Sequence, residues 1–283
     1  GTLIGLLGSR ALAGTLTRDE LAQPRGGREA LITGLRRAGL FEDGLLSSKR
    51  RPESLAGYLE LHIEQGSRLL KAEAQIGVVS GIVGICSYRL TFSGRADHAG
   101  TTPMDGRLDA GQGAAAFILA VRRLVIERFP GCVANIGRVD FEPGAFNIVP
   151  ERARLALEFR AADSGSFRRL ETALLALAEE SALRYGLGLE FEFLGKHPPA
   201  PMSETVQKTI AATAESLGLK HIPLSSGAGH DAQSLAPLCP AGMLFVPSQG
   251  GASHSAREMT EWNDCVNGAN VLLGAAIRMA LGK

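Results

Sequence analysis

Four of the six histidines, His62, His98, His230 and His254, stand inside short polar strings punctuated by turn residues, a setting that presents a side chain to a site. Neutral imidazole is the commonest protein metal ligand and a ready proton donor, so the pattern points to hydrolytic metal chemistry. His197, which precedes Pro198-Pro199, and His221 have no such context. Taken singly, His62 and His254 read as hydrogen-bonded loop histidines. His98 has a specific alternative, capping its own loop through Thr101 or Thr102, and His230 another, a loop-fixing pair with Asp231.

The elements that must position these side chains are legible from periodicity. Tyr58 to Ile63 alternates as a strand, with Leu59, Leu61 and Ile63 on one face and Tyr58, Glu60 and His62 on the other. Before it, Gly1 to Leu16 reads as buried chain or loop, Thr17 to Glu20 as a capping box, and Arg28 to Ala38 as a helix closed by Gly39. Ser47 to Pro52 has the composition of a disordered stretch. From about Ile82 to Pro198 the order is β-α-β-β-α-β: a strand from Ile85, a helix from about Leu108 to Phe129, strands at Val133 and Ala153, a helix from about Phe167 to Tyr185, and a strand at Leu189.

That order predicts a ferredoxin-like sandwich with both helices on one face of an antiparallel sheet. Its uncovered edge is a natural pairing surface, so a homodimer through this unit is expected. After Pro201 the pattern alternates between helix and strand, with too few strands for a sheet of its own unless Tyr58 to Ile63 and Ile76 to Val79 join it. The fold expected is therefore α/β: a discontinuous doubly wound catalytic domain from residues 1–81 and 199–283, with residues 82–198 inserted as a lid and dimerisation domain.

Composition narrows the function further. The 283 residues carry a net charge of +1, with Lys and Arg spread along the chain and only three Tyr and one Trp, which argues against a nucleic-acid surface. The N-terminal stretch lacks a charged start and is too broken for a signal or membrane segment, so no membrane attachment is expected. Cys86, Cys132, Cys239 and Cys265 are isolated, which indicates neither a disulfide framework nor a structural zinc site and makes a reducing cytoplasm the expected compartment.

Five strings together become specific: His62-Ile63-Glu64-Gln65-Gly66, Asp97-His98-Ala99-Gly100-Thr101-Thr102-Pro103-Met104, Phe146-Asn147-Ile148-Val149-Pro150, Gly227-Ala228-Gly229-His230-Asp231-Ala232 and Ser253-His254-Ser255. In content and order they resemble the dinuclear metal amidohydrolases that include N-carbamoyl-L-amino-acid hydrolases and allantoate amidohydrolases, within the larger M20-like group. The resemblance spans nearly the whole chain. It implies two divalent ions (Zn, Mn, Co or Ni), with His62 a ligand of one and His254 of the other. It also implies that His98 reaches into a partner subunit's site and polarises the scissile carbonyl, and that Asn147 and Arg160 bind substrate. Gln65, Gly229 and His230 are further candidates for substrate contact. Spacing alone leaves Arg160 as a surface ion pair and Asn147 as a turn residue.

The implied reaction is cleavage of the carbamoyl C–N bond of N-carbamoyl-L-amino acids to amino acid, carbon dioxide and ammonia, with allantoate the alternative ureido substrate. Allantoate-type members tend to carry arginine near the end of the first inserted strand, where this chain has Cys86-Ser87. The family's remaining donors, a His-x-Asp string, a bridging Asp and a Glu-Glu pair, come before the His62 string, and no such strings precede His62 here. Glu179-Glu180 reads as a solvated helix face and does not replace them. Gly5 to Ala11 resembles the family segment just after the Glu-Glu pair, and the first residue is Gly rather than Met, so the chain is expected to lack roughly the first quarter to third of an intact member. A third reading is then an inactive dimerisation or substrate-binding fragment. Ala256 stands where members often have Pro after Ser-His-Ser.

Overall fold

The computed structural model describes residues 4–282. They divide into two compact units, one running to Ile82 and resuming at Ala200, the other spanning Val83–Pro199. The chain opens with four helices, α1 (Leu7–Ala13), α2 (Arg18–Ala22), α3 (Arg28–Arg37) and α4 (Glu42–Ser47). Thr17 and Glu20 form the reciprocal capping box, and Gly39 takes the left-handed conformation that ends α3. Leu21, Leu31, Leu35 and Leu45 gather with Ala11 and Leu16 into a small core. One expectation is refined and one is corrected. Leu7–Ala13, expected as buried chain or loop, is a helix that buries Ser9, Ala11 and Ala13, and the Ser47 to Pro52 stretch is tied down, because Ser47 ends α4 and the Arg50 N–H donates to the Leu12 carbonyl at 2.9 Å.

After these come β1 (Tyr58–Ile63), α5 (Arg68–Ala72) and β2 (Ile76–Ile82). The Val83–Pro199 unit follows with β3 (Gly84–Ser93), α6 (Ala110–Arg128), β4 (Val133–Glu142), β5 (Arg152–Ala161), α7 (Ser164–Arg184) and β6 (Gly188–His197). Its four strands form an antiparallel sheet in the order β4-β5-β3-β6. Along β5 every second residue, Ala153, Leu155, Leu157, Phe159 and Ala161, is buried. They meet Ala110, Ala114, Phe117 and Val121 of α6 and Phe167, Leu170, Leu174 and Ala178 of α7. Burying a side chain the size of Phe117 or Phe159 stabilises by about 1.5–3 kcal/mol. Asp109 and Asp163 accept backbone N–H groups at the starts of α6 and α7, at 2.8 Å in each case. The sheet's other face is charged, and Glu142 alone pairs with Arg152 at 2.8 Å and Arg154 at 2.6 Å.

The chain returns through β7 (Ala200–Pro201), α8 (Glu204–Ser216), β8 (His221–Ser226), α9 (Asp231–Leu235), β9 (Ala241–Val246) and α10 (Trp262–Ala280). β1 pairs with β9 in parallel, β9 with β2 in antiparallel, and β2 with β8 in parallel. The architecture is thus α/β with a mixed sheet, since β9 and β7 both pair antiparallel to β2. All six residues of β9 are buried, as a strand covered on both faces requires. One face packs Leu69, Val79, Leu224, Ala232, Met243 and Phe245; the other packs Ile76, Val206, Ile210, Leu244, Val271 and Ala275. Leu59, Leu61 and Ile63 join the second core and Tyr58 the first, the expected split of β1. The outer side of α10 leaves Trp262, Leu273 and Ile277 exposed. Among the described residues no helix is long and apolar enough to cross a membrane.

One polar group is built into the Val83–Pro199 core. Glu171 of α7 accepts the Tyr88 hydroxyl at 2.8 Å and pairs with the Lys196 ammonium. Burial alone would raise its carboxyl, but Lys196 and Tyr88 hold it below the ordinary glutamate range. Burial also pushes the neighbouring Cys86 thiol up to about 11, which leaves it unreactive. A depressed folded-state pKa contributes stability that is present above the unfolded value of about 4.3 and is lost as pH falls through the folded value. Glu171→Gln should therefore cost about 1–2 kcal/mol at pH 7 and flatten the acid limb of the stability profile, read by urea unfolding between pH 7 and pH 3. An unchanged acid limb would refute this account of the cluster.

Candidate active site

In the first unit β1 and β9 run the same way, so the loops that follow them emerge side by side. His62 is the penultimate residue of β1, and its Nδ1 lies 2.8 Å from the Ile63 carbonyl oxygen. A carbonyl only accepts, so the proton sits on Nδ1 and Nε2 keeps its lone pair, the tautomer a metal ligand needs. Gln65 then turns back in the left-handed conformation, φ 55°. Its backbone N–H donates to Ser248 Oγ and its side-chain amide to Ser253 Oγ, each at 3.0 Å, which ties it to the loop that carries His254. His254 is also left-handed, φ 54°, with its N–H donating to Glu258 at 3.0 Å. Strained backbone at two neighbouring candidate residues, of order 1 kcal/mol each, is what a functional loop pair retains.

His230 is buried. Its ring stands edge-on to that of His62, with centroids 4.6 Å apart. Nε2 lies 2.8 Å from Ser226 Oγ and Nδ1 3.5 Å from Glu60 Oε1. Burial alone would raise the Glu60 carboxyl, but His230 and the Ala232 N–H at 2.8 Å hold it below its usual range. Ionised Glu60 accepts only, which directs the His230 proton to Nδ1 and turns Nε2 toward the Ser226 hydroxyl. The loop-fixing partner of His230 is therefore Glu60, not Asp231, which is exposed. With both ring nitrogens occupied, His230 shapes the loop from Ser226 to Gly229. Glu60 is not among the site residues expected from sequence, although the alternation of β1 puts it on the face of His62 and is the signal that could have found it.

The resemblance implies two divalent ions. A site with an open position takes three protein ligands per ion, and among the described residues no three His, Cys, Asp or Glu side chains converge on a point. His62 suits one ligand position by its tautomer. These donors alone do not fit the ion pair, and no chemical step is derived through it.

In the second unit the loop after β3 is zipped to the segment before β5. His98 and Ile148 form a bridge, Ala99 N–H donates to the Asn147 carbonyl and Val149 N–H to the Asp97 carbonyl, both at 2.9 Å. Where the same loop passes Leu108 a glycine is required at position 94, since a Cβ there would lie 1.9 Å from the Leu108 carbonyl oxygen. His98 and Asn147 are thus brought together, both exposed. His98 Nδ1 accepts the Gly100 N–H at 3.1 Å, which places the proton of the neutral ring on Nε2. The Thr101 and Thr102 amides go to the His98 backbone carbonyl, so the ring caps the loop through Gly100 and still offers an Nε2–H donor.

Arg160 lies on the charged face of β5, its Nε and Nη2 donating to Glu158 Oε1 at 3.0 and 2.7 Å. It pairs in register with Ile85 and Val133, at the end of β5 opposite Arg152, next to which the His98 and Asn147 loops are fixed. Eight residues of strand at about 3.3 Å each separate the two ends by about 26 Å. One copy of this unit therefore does not bring Asn147 and Arg160 to the same substrate carboxylate.

Residues 6–278 match the family described as peptidase family M20/M25/M40. The chain is 36% identical over 279 residues to an N-carbamoyl-L-amino acid amidohydrolase of Geobacillus stearothermophilus, covering 99% of this chain and 68% of that protein. It is 35% identical to the N-carbamoyl-L-amino-acid amidohydrolase of Paenarthrobacter aurescens, covering 95% and 66%. The chain thus spans about two thirds of the length of these relatives. The crystal structure of an amidase of the hydantoinase/carbamoylase family from Burkholderia phymatum superposes with a TM-score of 0.82 at 37% identity, covering 100% of this chain and 69% of that one. Motif order, fold and a match over nearly every residue agree: the chain belongs to the peptidase family M20/M25/M40.

Proposed function

We propose that this chain carries the substrate-orienting and carbonyl-polarising apparatus of an amidohydrolase that cleaves the carbamoyl C–N bond of N-carbamoyl-L-amino acids, releasing amino acid, carbon dioxide and ammonia. The names of its relatives support the reaction class. The observation that carries the reading is the His98–Asn147 pair, in which backbone hydrogen bonds hold an exposed imidazole with its proton on Nε2. Attack of water on a ureido carbonyl moves negative charge onto the oxygen, and a prepositioned neutral N–H donor stabilises that charge more than the ground-state carbonyl. Asn147 beside it offers an amide to the ureido group. Arg160 takes the substrate carboxylate in place of Glu158, using the planar fork suited to that group.

The separation along β5 supports a homodimer in which His98 and Asn147 of one copy act on substrate held by Arg160 of the other. Residues 83–199, with their β-α-β-β-α-β order, would then be an inserted ferredoxin-like lid and dimerisation domain. The four free cysteines fit a reducing compartment.

Complemented with a separately made N-terminal part of a relative and supplied with Zn, Mn, Co or Ni, the protein should release ammonia from N-carbamoyl-L-amino acids, and His98→Gln should lower kcat about 10²–10³-fold. Release from allantoate alone would move the substrate assignment, and saturable binding without release from either would make the chain a binding fragment. The sharing between copies has its own test. His98→Gln and Arg160→Met should each be inactive, while their equimolar mixture after dissociation and reassociation should recover about a quarter of wild-type activity, because half the dimers then contain one intact site. If both residues served a site from the same chain, mixing would recover nothing.

A further inference from the structure

Loop 94–109 holds His98 with little apolar anchoring, since Gly100, Thr101, Pro103 and Met104 are all exposed. Polar bonds must therefore fix it, and one side chain supplies three of them. Arg107 Nη2 donates to the Ala99 carbonyl at 2.6 Å and to the Thr102 carbonyl at 3.0 Å, while its Nε donates to the Thr102 carbonyl at 3.1 Å. The Ala99 residue is thus held at both ends, its C=O by Arg107 and its N–H by the Asn147 carbonyl. Thr102 closes the turn from the other side, its N–H donating to the His98 carbonyl at 3.1 Å. Arg107 is itself anchored through the next residue, Leu108, whose carbonyl accepts the Arg95 N–H at 2.9 Å where Gly94 permits close approach.

We propose that Arg107 is the positioning residue of the His98–Asn147 pair: its guanidinium clamps the carbonyls of Ala99 and Thr102, keeps the Gly100 N–H on His98 Nδ1, and so holds the Nε2–H donor outward. The inference rests on the reading of His98 as the group that polarises the substrate carbonyl. A guanidinium is suited to the task because its Nε and Nη2 donors converge on the Thr102 carbonyl while Nη2 also reaches the Ala99 carbonyl in the same plane, whereas an ammonium on a flexible stem satisfies one well and the other poorly. Arg107→Lys is therefore not conservative here.

The test is nuclear magnetic resonance of the full chain with its histidines and amides 15N-labelled, comparing the wild type with Arg107→Lys and Arg107→Met. The wild type should show His98 with a protonated Nε2 and an unprotonated Nδ1. In Arg107→Met the two tautomers should mix and exchange of the Ala99 amide should accelerate on the order of tenfold, while the Leu155 and Leu157 amides of β5 stay protected. Arg107→Lys should fall between, and guanidinium ion added to Arg107→Met should restore the single tautomer. An unchanged His98 tautomer in Arg107→Met overturns the proposal, as does acceleration of the β5 amides to the same extent as Ala99, which would make Arg107 a general stability residue. Failure of the underlying reading looks different: His98→Gln would turn over substrate like the wild type while the Arg107 spectra still changed as described.

Discussion

The alternation along β5 is the constraint on which the rest of the Val83–Pro199 unit depends. Its inward residues from Ala153 to Ala161 bind the sheet to α6 and α7, and this burial stabilises the unit. The same period of two forces Arg152, Arg154, Glu158 and Arg160 onto the opposite face. Because the strand is extended, the residues at its ends cannot approach one another, and the His98 and Asn147 loops lie beyond one end while Arg160 occupies the other. The core of the unit thus sets the distance between the His98–Asn147 pair and Arg160.

Within each group the decisive detail is which ring nitrogen carries the proton. His62 gives its Nδ1 proton to a carbonyl, His98 receives an N–H at Nδ1, and His230 stands between a carboxylate and a hydroxyl. Three imidazoles of one residue type are thereby prepared for three tasks: an Nε2 lone pair, an Nε2–H donor and a buried strut. The main chain makes the choice for the first two, so no neighbouring side chain advertises it. Arg107 belongs to the same logic, since it acts on carbonyls and leaves no complementary charge to find.

Much of the fold was legible because periodicity is a one-dimensional record of burial. The strand Tyr58–Ile63, the stripe Ala110, Ala114, Phe117 and Val121, and the inward residues of β5 all lie where alternation or helical spacing places them. Helix α1 and the tie between Arg50 and Leu12 were not legible, because a short apolar stretch and a basic run take their structure from the neighbours they pack against. In the site, Glu60 and Glu158 were within reach of the same reasoning, each two residues from a singled-out partner on one strand face. Ser226 and Arg107 were not, since their partners are reached by loop closure.

The sequence by itself determined the family, the order of elements from Ile82 to Pro198 and the residue types able to do chemistry, because those reside in local pattern and in strings of adjacent residues. Only the tertiary structure decided that His98 and Asn147 form one group and Arg160 another, that His230 answers to Glu60, and which nitrogen of each ring holds the proton. Those facts depend on strand length, register and the direction of backbone N–H and C=O groups, and these take definite values only once the chain has closed on itself.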